Sequence, residues 1–106
     1  MTRSTWLVLS LVLSAPLVAE DGISSDRAQQ LENLLVQDCG SCHGLQMKGG
    51  LGPALLPEVL RGKSPEYLST VILQGRKGTA MPPWSALLSP AEALWIAEQL
   101  LKGNPE

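Results

Sequence analysis

Both cysteines and the single histidine of this 106-residue chain fall inside one pentapeptide, Cys39-Gly40-Ser41-Cys42-His43. Two thiols three residues apart stand on one side of a helical turn, where each can add to one vinyl group of a porphyrin. An imidazole that follows directly can reach the iron, and C-x-x-C-H is the spacing of covalent haem attachment. Other uses of these groups compete. A disulfide between Cys39 and Cys42 suits an oxidising compartment, and C-x-x-C is also a redox spacing. A thioredoxin-like site, however, needs βαβ surroundings, and no strand alternation is present. A zinc site needs two further ligands, and the chain has no other Cys or His. Haem is the reading that uses all three side chains.

With one histidine in the chain, bis-histidine ligation is excluded, and lysine, water or methionine remain for the sixth position on the iron. Of the three methionines, Met1 belongs to the apolar leader, and Met47 lies four residues beyond His43, too close to wrap round to the other haem face. Met81 lies 38 residues beyond it, in the loop Ala80-Met81-Pro82-Pro83-Trp84, where two prolines restrict φ and hold the loop stiff. A lone methionine ordinarily fills a core; beside an attachment motif, Met81 is the expected ligand. Both axial positions would then be taken and no acid–base pair stands beside the motif. The expectation is an electron-transfer protein with no catalytic residues, not an enzyme. If Met81 is not a ligand, a five-coordinate haem could instead bind NO, CO or peroxide.

Three helices are expected to position these groups. Ser24-Ser25-Asp26 offers N-cap candidates, with Gln29 three residues after Asp26, and Ala28, Leu31, Leu34 and Leu35 form an apolar stripe that runs into Cys39. Residues 44–62 carry five glycines and two prolines and read as loop, with at most a helical turn at Pro57 to Leu60. A second helix starts at Ser64, with Pro65 in its first position, and stops before Gly75; Tyr67, Leu68, Val71 and Ile72 give it an apolar face. The third opens on a capping box, Ser89 with Glu92, carries Leu94, Trp95, Ile96, Leu100 and Leu101, and ends at Gly103. The fold class is all-α.

Residues 1–19 read as a signal peptide: Arg3, an apolar run from Trp6 to Val18, and Ala19 before Glu20-Asp21. The run is shorter than a membrane span requires and contains Pro16, so no stable span is expected once it is cleaved; an uncleaved anchor is the rival. Residues 20–106 form one domain, placed outside the cytoplasm. That domain has ten acids and seven bases, a net charge of −3. Residues 44–89 nevertheless hold five bases against two acids. This is no nucleic-acid profile.

C-G-S-C-H, Gly52-Pro53, the helix ending at Gly75, Met81-Pro82 and the closing amphipathic helix together resemble the class I (His/Met) cytochromes c. The resemblance covers residues 26–102 and implies about three main helices around one covalent haem c. It also implies that the Pro53 carbonyl accepts from His43 Nδ1, and that Leu31 and Leu35 meet Ile96 and Leu100 where first and last helices cross. Gln99 replaces a common aromatic, and Leu31 stands where a glycine is usual. More finely, C-G-S-C-H-G-L-Q-M-K-G-G-L-G-P-A-L and G-T-A-M-P-P-W resemble the small cytochrome c55X (NirC-type) proteins. That resemblance implies a periplasmic monohaem cytochrome that shuttles single electrons to the haem c/haem d1 nitrite reductase of denitrification. The alternative it carries is an accessory redox step in maturing the reductase's d1 haem.

Overall fold

Ser24 begins the fold: its hydroxyl accepts from the Arg27 N–H at 3.1 Å, which caps α1, Ser25–Leu34. In this computed structural model, which describes residues 2, 4–12, 14 and 22–104, the cap is Ser24 alone, and Gln29 takes no part in it. The expected cleavage point at Ala19 lies outside the described residues. Within the expected signal, residues 4–12 carry no helix or strand, and Trp6 and Leu7 stand exposed. Among the described residues no helix is long and apolar enough to cross a membrane.

The helix does not stop at Leu34. From Leu35 to Cys39 it widens into one π turn, closed by the Gly40 N–H on the Leu35 carbonyl, and it resumes as α2, Gly40–His43. A π turn fits an extra residue into the helix and so re-aims everything after it. Leu31 and Leu35 are fully buried in the core, whereas Cys39, Cys42 and His43 line a cavity.

Three more helices follow: α3, Pro57–Leu60, α4, Pro65–Gln74, and α5, Pro90–Lys102. Ser64 caps α4 and Pro65 fills its first turn, where a missing N–H costs nothing. The capping box of α5 is complete: Glu92 N–H donates to Ser89 Oγ at 3.1 Å and Ser89 N–H to Glu92 Oε1 at 2.9 Å. At its far end Gly103, in the left-handed region, lets the Asn104 N–H close on the Gln99 carbonyl at 2.9 Å. The Gln99 side chain accepts from Asn104 Nδ2 at 3.0 Å, so this polar residue reinforces the helix stop.

No strand occurs among the described residues, and the architecture is all-α, as expected. α4 and α5 pack together, and α1 meets α5. Leu31 and Leu35 share one core with Ile96 and Leu100. The buried stripe of α5 differs from the apolar residues picked out above. It is Ala93, Ile96, Ala97 and Leu100, while Leu94, Trp95 and Leu101 are only partly covered. Ala93 and Ala97, at i and i+4, are fully buried small side chains that hydrophobicity alone does not flag. One further link joins the ends of the chain: Arg27 Nε donates to Glu92 Oε2, tying α1 to the first turn of α5.

Candidate functional site

The helices enclose one large cavity of about 350 Å³, within the size range of cofactor sites. The first helix contributes Cys39, Cys42 and His43; α4 contributes Tyr67, Leu68, Val71 and Ile72; α5 contributes Ile96 and Leu100. The glycine-rich loop supplies Leu51 to Pro53, and the loop after α4 supplies Thr79 to Pro82 and Trp84. Every residue expected at the site is therefore brought to one cavity, although Met81 is remote in sequence. Met47 is not there: it is 3 % exposed within the core, a packing methionine.

Local hydrogen bonding explains how the glycine-rich loop seats the histidine. A helix end leaves its last carbonyls without intrahelical partners. The loop folds back to satisfy them: Gly49 N–H reaches the His43 carbonyl at 2.8 Å and Gly52 N–H the Cys42 carbonyl at 2.7 Å. This places the Pro53 carbonyl 2.7 Å from His43 Nδ1. A carbonyl only accepts, so Nδ1 carries the proton and donates, which leaves the Nε2 lone pair for a metal. Gly52 has to be glycine, because a Cβ there would lie 2.7 Å from His43 Cε1 and 2.8 Å from Nδ1.

Electrostatics separate the uses of the thiols. Cys39 and Cys42 are both free. Burial first, and the neighbouring Asp38 charge second, push the Cys39 thiol up to about 11. A thiol–disulfide exchange site needs the reverse, a thiol lowered toward ambient pH. Among the described residues no three His, Cys, Asp or Glu side chains gather around a common point to hold a bare metal ion. An apolar cavity with two thiols, an oriented imidazole and a thioether along its walls fits a haem, which these four side chains would hold.

Of the five bases in residues 44–89, only two reach the cavity. Arg76 and Lys63 line the cavity, together with Asp38, while Lys77, Lys48 and Arg61 do not. Arg76 Nη2 donates to Tyr67 Oη at 3.2 Å. Leu51, at 81 % exposure, is a large apolar side chain standing in solvent at the cavity edge.

Comparison with known proteins bears on the same residues. The family model described as cytochrome C oxidase, cbb3-type, subunit III matches residues 26–99. Cytochrome c55X of Pseudomonas aeruginosa is 49 % identical over 97 % of this chain and 88 % of its own length. The solved c-type cytochrome NirC superposes with a TM-score of 0.74 at 54 % identity, covering 76 % of this chain and 95 % of that one. The dihydro-heme d1 dehydrogenase of the same bacterium is 36 % identical over 97 % of this chain, which spans only 20 % of that longer protein.

Proposed function

From the premise that this chain belongs to the small c-type cytochromes of the c55X (NirC) type, within the cbb3-type subunit III domain family, we propose that it is a periplasmic electron carrier for a haem c/haem d1 nitrite reductase. The coarser part of this reading is established by the membership itself: a monohaem cytochrome, with haem c held covalently, that transfers electrons. The lining of the cavity supports the finer assignments. Cys39 and Cys42 form the two thioethers, His43 and Met81 are the iron ligands, and Pro53 orients His43. Residues 1–19 act as the export signal for a domain of residues 20–106, which supports the periplasm.

One observation carries the ligand set: a single apolar cavity lined by Cys39, Cys42 and His43 from one segment and by Met81 from another. The bound haem supplies one-electron chemistry, and the chain sets its conditions. The Pro53 carbonyl accepts the Nδ1 proton of His43 and makes the imidazole a stronger donor. Leu68, Val71, Ile72, Ile96 and Leu100 keep water from the interior. A methionine thioether paired with histidine raises the potential. Held by His43 and Met81 together, the iron would keep no position open for a substrate.

The experiment is a visible spectrum and an intact mass on protein matured with its own haem-attachment machinery. One added haem is expected, with the weak methionine-to-iron charge-transfer band in the oxidised form. Met81→Ala should abolish that band and lower the potential, which axial ligands set over a range of about 0.8 V; Met47→Ala should do neither. The opposite pattern would overturn the ligand assignment. A second reading, a redox step in d1 haem maturation, is favoured by the 36 % identity to the dihydro-heme d1 dehydrogenase. Stopped-flow mixing separates the two: a carrier reduces the mature reductase within its turnover time, and a maturation factor does not.

A further inference from the structure

Gly75 ends α4 at φ 67° and ψ −171°, a backbone region that essentially only glycine occupies. It is also closed in by neighbours. A Cβ built there would lie 2.7 Å from the Met81 carbonyl oxygen, from the Pro82 carbonyl carbon and from the Pro83 nitrogen. All three are backbone atoms, so none can swing aside as a side-chain end could. One residue on, Arg76 N–H donates to the same Met81 carbonyl at 3.1 Å. The Thr79 hydroxyl donates to the Arg76 carbonyl at 2.7 Å and accepts from the Met81 N–H at 3.3 Å. Past the prolines, the N–H groups of Trp84 and Ser85 return to the Ile72 and Leu73 carbonyls of α4 at 3.0 and 3.3 Å. The strap that carries Met81 is thus laid against the end of α4 with bare backbone on backbone at Gly75.

We infer that Gly75 is a positioning residue for the sixth iron ligand. By letting the strap seat directly on the helix end, it sets how far Met81 reaches into the cavity. It thereby keeps the iron closed to small exogenous ligands, and decides between an electron carrier and a ligand-binding haem protein. The inference rests on the assignment of Met81 as ligand made above. A glycine that merely stops a helix or turns a loop looks different in this structure. Gly62 has φ +86° and nothing within 4 Å of where a Cβ would stand. Alanine at Gly62 meets only the conformational cost of positive φ; alanine at Gly75 must also lift the strap.

The test is an imidazole titration of the oxidised holoprotein, read in the Soret region alongside the methionine charge-transfer band and the potential. Gly75→Ala should retain covalent haem, weaken the band, lower the potential and raise imidazole affinity by about tenfold, equivalent to about 1.4 kcal/mol of lost methionine ligation. Gly62→Ala should lower the unfolding midpoint yet leave the band and the affinity as in the wild type. If Gly75→Ala behaves like Gly62→Ala, the positioning role is refuted. Should Gly75→Ala give too little haem protein, Thr79→Val releases the strap from its other anchor. It should raise imidazole affinity in the same direction, and an unchanged affinity would overturn the inference. Met81→Ala run in parallel distinguishes the two claims: unchanged behaviour there defeats the ligand assignment, whereas a lost band there with a normal Gly75→Ala defeats only the positioning role.

Discussion

Replacing Glu92 by glutamine should loosen the tie between the two ends of the chain without disturbing the helix it begins. Glu92 is held by Arg27 of α1 through one carboxylate oxygen and by the Ser89 N–H through the other. A glutamine amide oxygen can still accept from Ser89, so the capping box survives and only the charged half is lost. The Glu92 side chain is 17 % exposed and that of Arg27 34 %, so solvent screens much of the attraction. The loss expected for Glu92→Gln is therefore about 1 kcal/mol, the upper end for exposed ion pairs. In a domain of this size that corresponds to a fall in Tm of about 4–8 °C. Glu92→Ala also breaks the box and should lose about 1 kcal/mol more.

The pH dependence follows from the same contact. The Arg27 guanidinium, and after it the Ser89 N–H, hold the Glu92 carboxyl down at about 2, against its ordinary 4.5. A folded value below the unfolded one means that the folded state favours the charged carboxylate. Its stabilisation is present in full above the unfolded value and is lost as pH falls toward the folded value. Urea unfolding of the holoprotein, followed by helical circular dichroism, should separate wild type from Glu92→Gln fully at neutral pH, and the gap should close as pH falls from 4.5 toward 2. Urea is chosen because it adds no salt to screen the pair. Equal stabilities at neutral pH, or a gap that persists undiminished through that window, would refute the reasoning.

Gly52→Ala would drive a methyl to within 2.7 Å of the His43 ring and break the Nδ1–H bond to Pro53; the weaker imidazole donor should raise the potential, measurable by spectroelectrochemistry. Cys39→Ala and Cys42→Ala should each leave haem on a single thioether, which a shifted reduced α-band reports; two intact thiols beside unattached haem in the wild type would contradict the attachment site. The cations at the cavity rim, Arg76 and Lys63, should steer a partner with an acidic surface, so reduction of the nitrite reductase should slow as ionic strength rises. Arg76→Glu with Lys63→Glu should slow it further at low salt, and a rate indifferent to both changes would leave the rim without a docking role.

What could be read from the residues alone is what lies close together along the chain. The attachment pentapeptide needs no fold to be recognised, because its groups are held at a helical turn's spacing by the backbone itself. Ser64 with Pro65, and Ser89 with Pro90 and Glu92, mark where α4 and α5 begin for the same reason: each cap is satisfied within three or four residues. Met81 stands out as the expected ligand by elimination, because Met47 is too close to His43 and Met1 falls in the expected signal.

Other features depend on packing between distant segments. The π turn at Leu35–Cys39 has no residue signature; it lies between the buried Leu35 and Cys39 at the cavity wall. Ala93 and Ala97 are fully buried, although small side chains add little to a hydrophobic pattern along the chain. Arg27 meets Glu92 across 65 residues, and the Gly75 backbone meets that of Met81 only once the strap has returned to α4. Such contacts cost chain entropy that no local sequence repays, so they form where the sum of burial holds the segments together, and only the folded chain reveals them.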